Sequence, residues 1–249
     1  MPKLGEGMAN HKLADHFGFS AAKVDDTLGA TEYTLVTIAL DASSSVGSFE
    51  VEMEKCVQEI IKACKLSPRA DNLMVRLVKF NDRLKEVHGF RLLSQCPLMD
   101  YDGFMKAGGG TALFDAAYNS AEATATYGKQ LIDNDYSANG LMVVITDGCD
   151  NSSKMTPAKI KESLVKTTKA EYLESLVSLL IGVDVADSGI KQILDMFHKD
   201  VGFTKFIALA DAKASTIAKV GRFISHSVSQ QSKSLGSGSA SKPLDFLSI

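Results

Sequence analysis

Asp41, Ser43 and Ser45 stand at alternating positions, directly after an apolar stretch and directly before a helical one. The apolar stretch, residues 33–40, is rich in β-branched and aromatic residues, which favour a strand. Open α/β sheets bind ligands at the carboxyl ends of their strands, where these three oxygen donors fall. The donors can turn toward one hard cation, and an all-oxygen ligand set suits Mg2+ or Mn2+ better than Zn2+. The pattern predicts a metal site.

A second candidate segment is Gly-Gly-Gly-Thr at residues 108–111, followed by a helical pattern from residue 113. Glycine allows positive φ and a close approach of the backbone to a ligand. Thr111 places a hydroxyl at a helix N-terminus, where backbone N–H groups favour an anion. A phosphate-binding P-loop needs a lysine after its last glycine, and none follows here. A flexible connection remains the simpler alternative for this segment alone.

The third segment is Thr146-Asp147-Gly148, which ends a run of five apolar residues at 141–145. Such a run is typical of a strand that is buried on both faces. Asp147 alone would suit a turn, because Asp-Gly pairs commonly form turns. Together with Asp41 and Thr111, its position at the end of a strand favours a metal ligand.

These three motifs together resemble the metal-ion-dependent adhesion site of the von Willebrand factor type A (vWA) family. They occur in the order of that family, and each follows the expected element. The resemblance implies three direct hydroxyl ligands, Ser43, Ser45 and Thr111. It also implies two carboxylates that bind the ion mostly through water, Asp41 and Asp147.

The resemblance covers about residues 33–228 and departs from the pattern at Ser44, a non-ligand position where many bacterial members carry glycine. It implies a small, single-domain member of bacterial or phage type that binds other proteins. An ion held by neutral hydroxyls keeps uncompensated charge, so a partner's Asp or Glu would gain a strong interaction as the sixth ligand. Mg2+ is the expected ion, and Mn2+ or Ca2+ would also accept oxygen ligands. Small members commonly act beside ATPases or within larger assemblies, which are the partners expected here.

The residues argue against two other functions. A metal-dependent hydrolase of phosphate or ester bonds would need a positioned base or a second metal, and no second carboxylate cluster is apparent. Nucleotide binding would need the fingerprint G-x-G-x-x-G, which the chain lacks. The net charge of −3, without a long basic run, argues against nucleic acid and anionic membrane as partners. We predict a binding protein without enzymatic activity.

Strands and helices alternate along the chain, which predicts a Rossmann-like, doubly wound α/β fold with helices on both faces. The six predicted strands lie at residues 33–40, 72–80, 88–93, 141–146, 176–183 and 203–209. We expect a mostly parallel six-stranded sheet, in which the strand at 88–93 is an antiparallel edge strand. Helices are predicted at about 47–65, at 113–132, from 157, at 187–199 and near the end of the domain. Residues 150–153 are predicted to be a loop.

Residues 1–30 are predicted to be an N-terminal extension, with a short helix at 20–28, and residues 31–228 the vWA domain. Residues 229–249 form a flexible Ser/Gly-rich tail by composition. The tail ends in an apolar cluster around Asp245, a candidate docking motif for a partner, for the chain's own groove or for a neighbouring subunit's metal.

The cysteines show neither zinc nor redox spacing, which indicates a reducing compartment; they are Cys56, Cys64, Cys96 and Cys149. No signal peptide and no apolar run of transmembrane length is visible. We therefore predict a cytoplasmic protein that does not bind membranes.

Overall fold

A computed structural model describes residues 7–24, 28–169, 172–186 and 188–235. Eight strands of this part form one sheet: β1 (Met8–Lys12), β2 (Gly18–Ala22), β3 (Glu32–Asp41), β4 (Leu73–Phe80), β5 (Leu84–Leu92), β6 (Ser137–Thr146), β7 (Leu176–Gly182) and β8 (Lys205–Ala208). Its α-helices are α1 (Glu50–Lys65), α2 (Leu113–Ile132), α3 (Pro157–Lys169), α4 (Ser188–Val201) and α5 (Ala214–Leu235). None of the helices in the described ranges combines the length and hydrophobicity that crossing a membrane requires.

The strand order is β1-β2-β5-β4-β3-β6-β7-β8, and β4, β3, β6, β7 and β8 run parallel. The expected α/β fold with a mostly parallel sheet is therefore confirmed. The prediction of six strands is wrong, because two more strands join the sheet beyond β5. β5 is antiparallel to β4, as expected, but it is not an edge strand, since β2 pairs with it at Phe90.

Helices cover both faces of the sheet, because β3 and β6 are apolar on both sides. On one face, Ile38 of β3 shares a core with Val57 of α1 and Ile224 of α5. On the other, Val144 of β6 shares a core with Ala117 of α2 and Leu194 of α4. The central strands are therefore fixed from above and below, and their carboxyl ends form a rigid base for the loops that follow.

The two additional strands come from the predicted N-terminal extension. Residues 20–22 are extended within β2, so the predicted helix at 20–28 is wrong there, and residues 25–27 lie outside the described part. Ser20 donates from its backbone N–H and its hydroxyl to Glu86 of β5, at 2.9 and 2.6 Å. Gly89 permits this pairing, because a Cβ there would lie 1.9 Å from the Ser20 carbonyl oxygen. At the other end, α5 continues to Leu235, past residue 229 where the tail was predicted to begin.

His88, on β5, is a buried histidine held by two hydrogen bonds. Its Nδ1 donates to the carbonyl of Gly89 at 3.0 Å, so Nε2 accepts from the hydroxyl of Tyr101 at 2.9 Å in the neutral ring. The pKa of His88 is lowered to about 4, mainly by burial and also by the positive charges of Arg91 and Arg76, against the opposing effects of the Gly89 hydrogen bond and the charge of Asp100.

We predict that His88 makes the protein acid-sensitive. The pKa of His88 is lower in the folded than in the unfolded protein, so its contribution to the free energy of unfolding is complete above about pH 6.5. That contribution is lost as the pH falls toward 4, at up to about 1.4 kcal/mol per pH unit. Urea denaturation at several pH values measures this slope. His88→Gln can keep both hydrogen bonds without titrating, and we expect a flatter slope in that window. Equal slopes for the two proteins would contradict the prediction.

Candidate metal site

The parallel register of the central strands brings the separated motifs to one end of the sheet. Asp41 ends β3 in register with Phe80, the last residue of β4, and Leu40 pairs with Ile145 near the end of β6. The segments that continue from these strands therefore meet at one edge. This is the location where parallel α/β sheets bind ligands.

Asp41 forms the base of the site. Its side chain is fully buried, and both carboxylate oxygens accept hydrogen bonds. Oδ1 accepts from the backbone N–H of Ser43 at 2.8 Å, and Oδ2 accepts from the hydroxyl of Thr146 at 2.6 Å. The carboxylate thus joins the turn after β3 to the end of β6. Because both oxygens already accept hydrogen bonds from the protein, Asp41 is suited to contact an ion through a water molecule.

The side-chain oxygens of Ser43, Ser45 and Asp147 lie in contact with one another next to Asp41. The Ser43 and Ser45 hydroxyl oxygens are 3.1 Å apart, and Ser45 donates to Oδ1 of Asp147 at 2.9 Å. Neighbouring ligands in an octahedral Mg2+ shell are separated by about 3.0 Å, given bond lengths near 2.1 Å. The Ser43–Ser45 spacing fits two direct ligands of such a shell, and Asp147 lies behind them at hydrogen-bond distance from Ser45. Ser43 is buried and Ser45 is exposed, so the outer side of the group is open.

Thr111 reaches the site through its loop. Gly108 donates its backbone N–H to the carbonyl of Ala42 at 2.9 Å. The carbonyl of Gly109 accepts from the backbone N–H and the hydroxyl of Ser44, at 3.2 and 3.0 Å. The loop at 108–111 therefore lies directly against the turn after β3, and Thr111 itself is buried. The loop that carries Thr111 thus lies against the turn that carries Ser43 and Ser45. Direct hydrogen bonds connect the other four predicted residues with one another.

The electrostatics of the site favour a cation. Burial raises the pKa of Asp41 to about 6, against the opposing hydrogen bonds from Thr146 and Ser43. Burial also raises the pKa of Asp147, and the negative charge of Asp184 adds to that effect. The metal-free fold therefore disfavours the charged form of both carboxylates. A divalent ion between them would stabilise the charged forms instead.

The donor set consists of oxygen alone. Among the residues that the structure describes, no group of three or more His, Cys, Asp and Glu side chains is placed to hold a metal. An ion at this site would therefore depend on Ser43, Ser45 and Thr111 together with two carboxylates. Hydroxyl and carboxylate oxygens are ligands for Mg2+, Mn2+ or Ca2+. The residues present fit the ion that was expected from the sequence.

The predicted loop at 150–153 and the two residues after it contact the first turn of α2. Asp150 Oδ1 accepts from the backbone N–H of Phe114 at 3.2 Å, and the Ser153 hydroxyl accepts from that of Asp115 at 3.0 Å. In return, Asp115 Oδ1 accepts from the backbone N–H groups of Lys154 and Met155, at 2.9 and 2.8 Å. The first turn of a helix leaves four N–H groups without a helical partner. The polar residues that follow β6 were the signal in the sequence from which this capping of α2 could have been predicted.

Fold and site together define a vWA-type α/β domain. The family model for the von Willebrand factor type A domain matches residues 36–214, and the chain belongs to this family. Sequence comparison with curated proteins finds no match.

Solved structures from several organisms share the fold. The D319A mutant of the PilB minor pilin from Streptococcus sanguinis is 12% identical, with a TM-score of 0.57, over 90% of this chain and 67% of the pilin. BatB from Bacteroides thetaiotaomicron is 14% identical, with a TM-score of 0.51, over 78% of this chain and 98% of BatB. Proximal thread matrix protein 1 from the mussel byssus, solved with a zinc-occupied MIDAS motif, is 15% identical, with a TM-score of 0.51, over 80% of this chain and 46% of that protein. This chain thus spans about two thirds of the pilin and under half of the mussel protein.

Proposed function

We propose that this protein is a metal-dependent protein-interaction module. Mg2+ would be held directly by the hydroxyls of Ser43, Ser45 and Thr111, and through water by Asp41 and Asp147. The observation that carries this proposal is the run of oxygens from Ser43 through Ser45 to Asp147, at 3.1 and 2.9 Å. The zinc-occupied MIDAS motif of the mussel protein supports a divalent ion at the corresponding place in this fold.

The partner would supply an Asp or Glu side chain to the open side of the site. Three of the five protein ligands are neutral, and the two carboxylates would be separated from the ion by water, so the ion keeps positive charge toward solvent. Ser45 is exposed and marks the accessible side. A carboxylate that arrives there gains a short-range charge interaction with the bound ion.

The class of partner and the location are also proposals. We propose a protein partner, an ATPase or a larger assembly, rather than nucleic acid or membrane. Cytoplasmic location is supported by Cys56, Cys64 and Cys96, which are buried and form no disulfide. The predicted docking motif around Asp245 lies outside the described residues and stays a prediction. Among the described residues, no observation favours the hydrolase alternative, since no second metal cluster is found there.

Calorimetric titration of metal-stripped protein tests the proposal. We expect saturable, one-site binding of Mg2+. With Mg2+ present, a synthetic peptide of residues 242–249 offers a carboxylate at Asp245, and its Asp245→Asn version is the matched control. We expect carboxylate-dependent binding, and EDTA should abolish it. Absence of Mg2+ binding, both with and without the acidic peptide or millimolar acetate, would overturn the proposed function.

A further inference from the structure

The glycine-rich loop at 108–111 lies between two asparagine turns. Asn81 directly follows β4, and Asn151 lies in the segment that follows β6. Neither residue was among the predicted ligands. Both contact the main chain of the loop that carries Thr111.

Asn151 holds the backbone of Thr111 on both sides. Its side-chain Oδ1 accepts from the N–H of Thr111 at 2.8 Å. Its own backbone N–H donates to the carbonyl of Thr111 at 3.0 Å. With both main-chain polar groups bonded to one residue, the orientation of Thr111 is fixed, and so is the direction in which its side chain leaves the backbone.

Asn81 spans the loop from one end to the other. Its Nδ2 donates to the carbonyl of Gly108 at 2.7 Å, and its carbonyl accepts from the N–H of Ala112 at 2.6 Å. The side chain of Asn81 is itself fixed, because Oδ1 accepts from the backbone N–H of Arg83 at 3.1 Å. The beginning and the end of the loop are therefore tied to the carboxyl end of β4.

The glycines let the loop pack directly on these two turns. A Cβ on Gly110 would lie 2.2 Å from the Ser152 hydroxyl and 2.7 Å from Oδ1 of Asn151. Gly109 has a φ of +83°, and a Cβ there would lie 2.6 Å from Oδ1 of Asp82. Gly109 and Gly110 thus serve close packing of the backbone, whereas a Cβ on Gly108 would meet no atom within 4 Å. The simpler interpretation as a flexible connection therefore does not fit the part of the loop next to Thr111.

We propose that Asn81 and Asn151 are positioning residues, which hold the loop in its metal-binding shape before an ion arrives. This inference rests on the proposed function, because an ordered Thr111 aids metal binding only if Thr111 is a ligand. An ordered loop loses its conformational entropy when the protein folds, so that loss does not weaken metal binding later. Thr111 then presents its hydroxyl as a fixed ligand.

Two measurements on the full chain test this proposal. The first is amide hydrogen exchange in the metal-free protein, where Thr111 should be protected and Asn151→Ala should make its amide exchange at least about 10-fold faster. The second is Mg2+ titration, where Asn151→Ala should weaken binding by about 10- to 100-fold, the range found for residues that orient metal ligands. Asn151→Asp keeps the acceptor for the Thr111 N–H and should restore protection, with Mg2+ affinity at or above that of the wild type.

Asn134→Ala is the matched control, since the side chain of Asn134 donates to the carbonyl of Gln130 at the far end of α2, at 2.8 Å. It should change neither measurement. Equal exchange of Thr111 in the wild type and Asn151→Ala would overturn the proposal. Faster exchange with unchanged Mg2+ affinity would also overturn it, because the order of the loop would then not serve the metal. If the wild type binds no Mg2+, both with and without the acidic peptide or acetate, the proposed function fails, and exchange in the metal-free protein still decides whether the asparagines order the loop.

Discussion

Replacing Asp147 with asparagine should weaken Mg2+ binding on the order of 100-fold, while the metal-free protein stays folded. The substitution keeps the shape of the side chain but removes a negative charge from the site. That charge is unfavourable without an ion, since burial raises the pKa of Asp147. We therefore expect the metal-free variant to be at least as stable as the wild type at neutral pH. Calorimetry gives the affinity, and thermal unfolding with EDTA gives the stability.

Asp184→Asn is the matched control for this prediction. Asp184 is exposed, follows β7, and acts on Asp147 only through its charge. Asparagine tolerates the positive φ of 56° at this position, so the control removes the same charge without strain. We expect no more than a few-fold loss of affinity. If the two variants lose equal affinity, the site responds to the general negative potential, and Asp147 is not a ligand.

Truncation of Arg76 should cause the largest loss of stability among single substitutions of charged residues in the described sheet. Arg76 lies on β4 with 1% of its surface exposed. Its Nε donates to Glu86 at 2.7 Å, and its Nη2 donates to Asn119 of α2 at 2.8 Å. Glu86 also accepts from Ser20 of β2, so the arginine stabilises the group that attaches the N-terminal strands.

Arg76→Met should cost about 3 kcal/mol, because it leaves the Glu86 carboxylate without its buried partner. Urea denaturation measures the loss. Arg83→Ala is the control, because Arg83 is exposed and its ion pair with Asp82 at 3.7 Å should contribute under about 1 kcal/mol. The double substitution Arg76→Met with Glu86→Gln removes both charges and should be less destabilising than Arg76→Met alone. If the double variant is less stable than the single one, loss of packing around the side chain explains the effect better than the unpaired charge.

The sequence by itself determined the central part of this protein. β3 is rich in β-branched and aromatic residues, β6 contains the apolar run at 141–145, and α1 repeats its buried residues Met53, Val57 and Ile60 at helical spacing. Local pattern was therefore sufficient to predict these elements. The motif around Asp41 could be recognised because its residues are close in sequence and follow one strand. Membership of the vWA family follows from motifs of this kind, and the family match over residues 36–214 agrees with it.

Only the tertiary structure decided the parts that depend on distant residues. β1 and β2 are five residues each, and the pairing of β2 with β5 depends on Gly89 and Glu86, more than sixty residues away. Asn81 and Asn151 look like ordinary turn residues until the fold places both against the loop before Thr111. Local periodicity reports which face of an element is buried, but it carries no information about which polar groups of separate turns meet. Those contacts are made by the packing of the whole sheet, and they fix both the N-terminal strands and the surroundings of the proposed metal site.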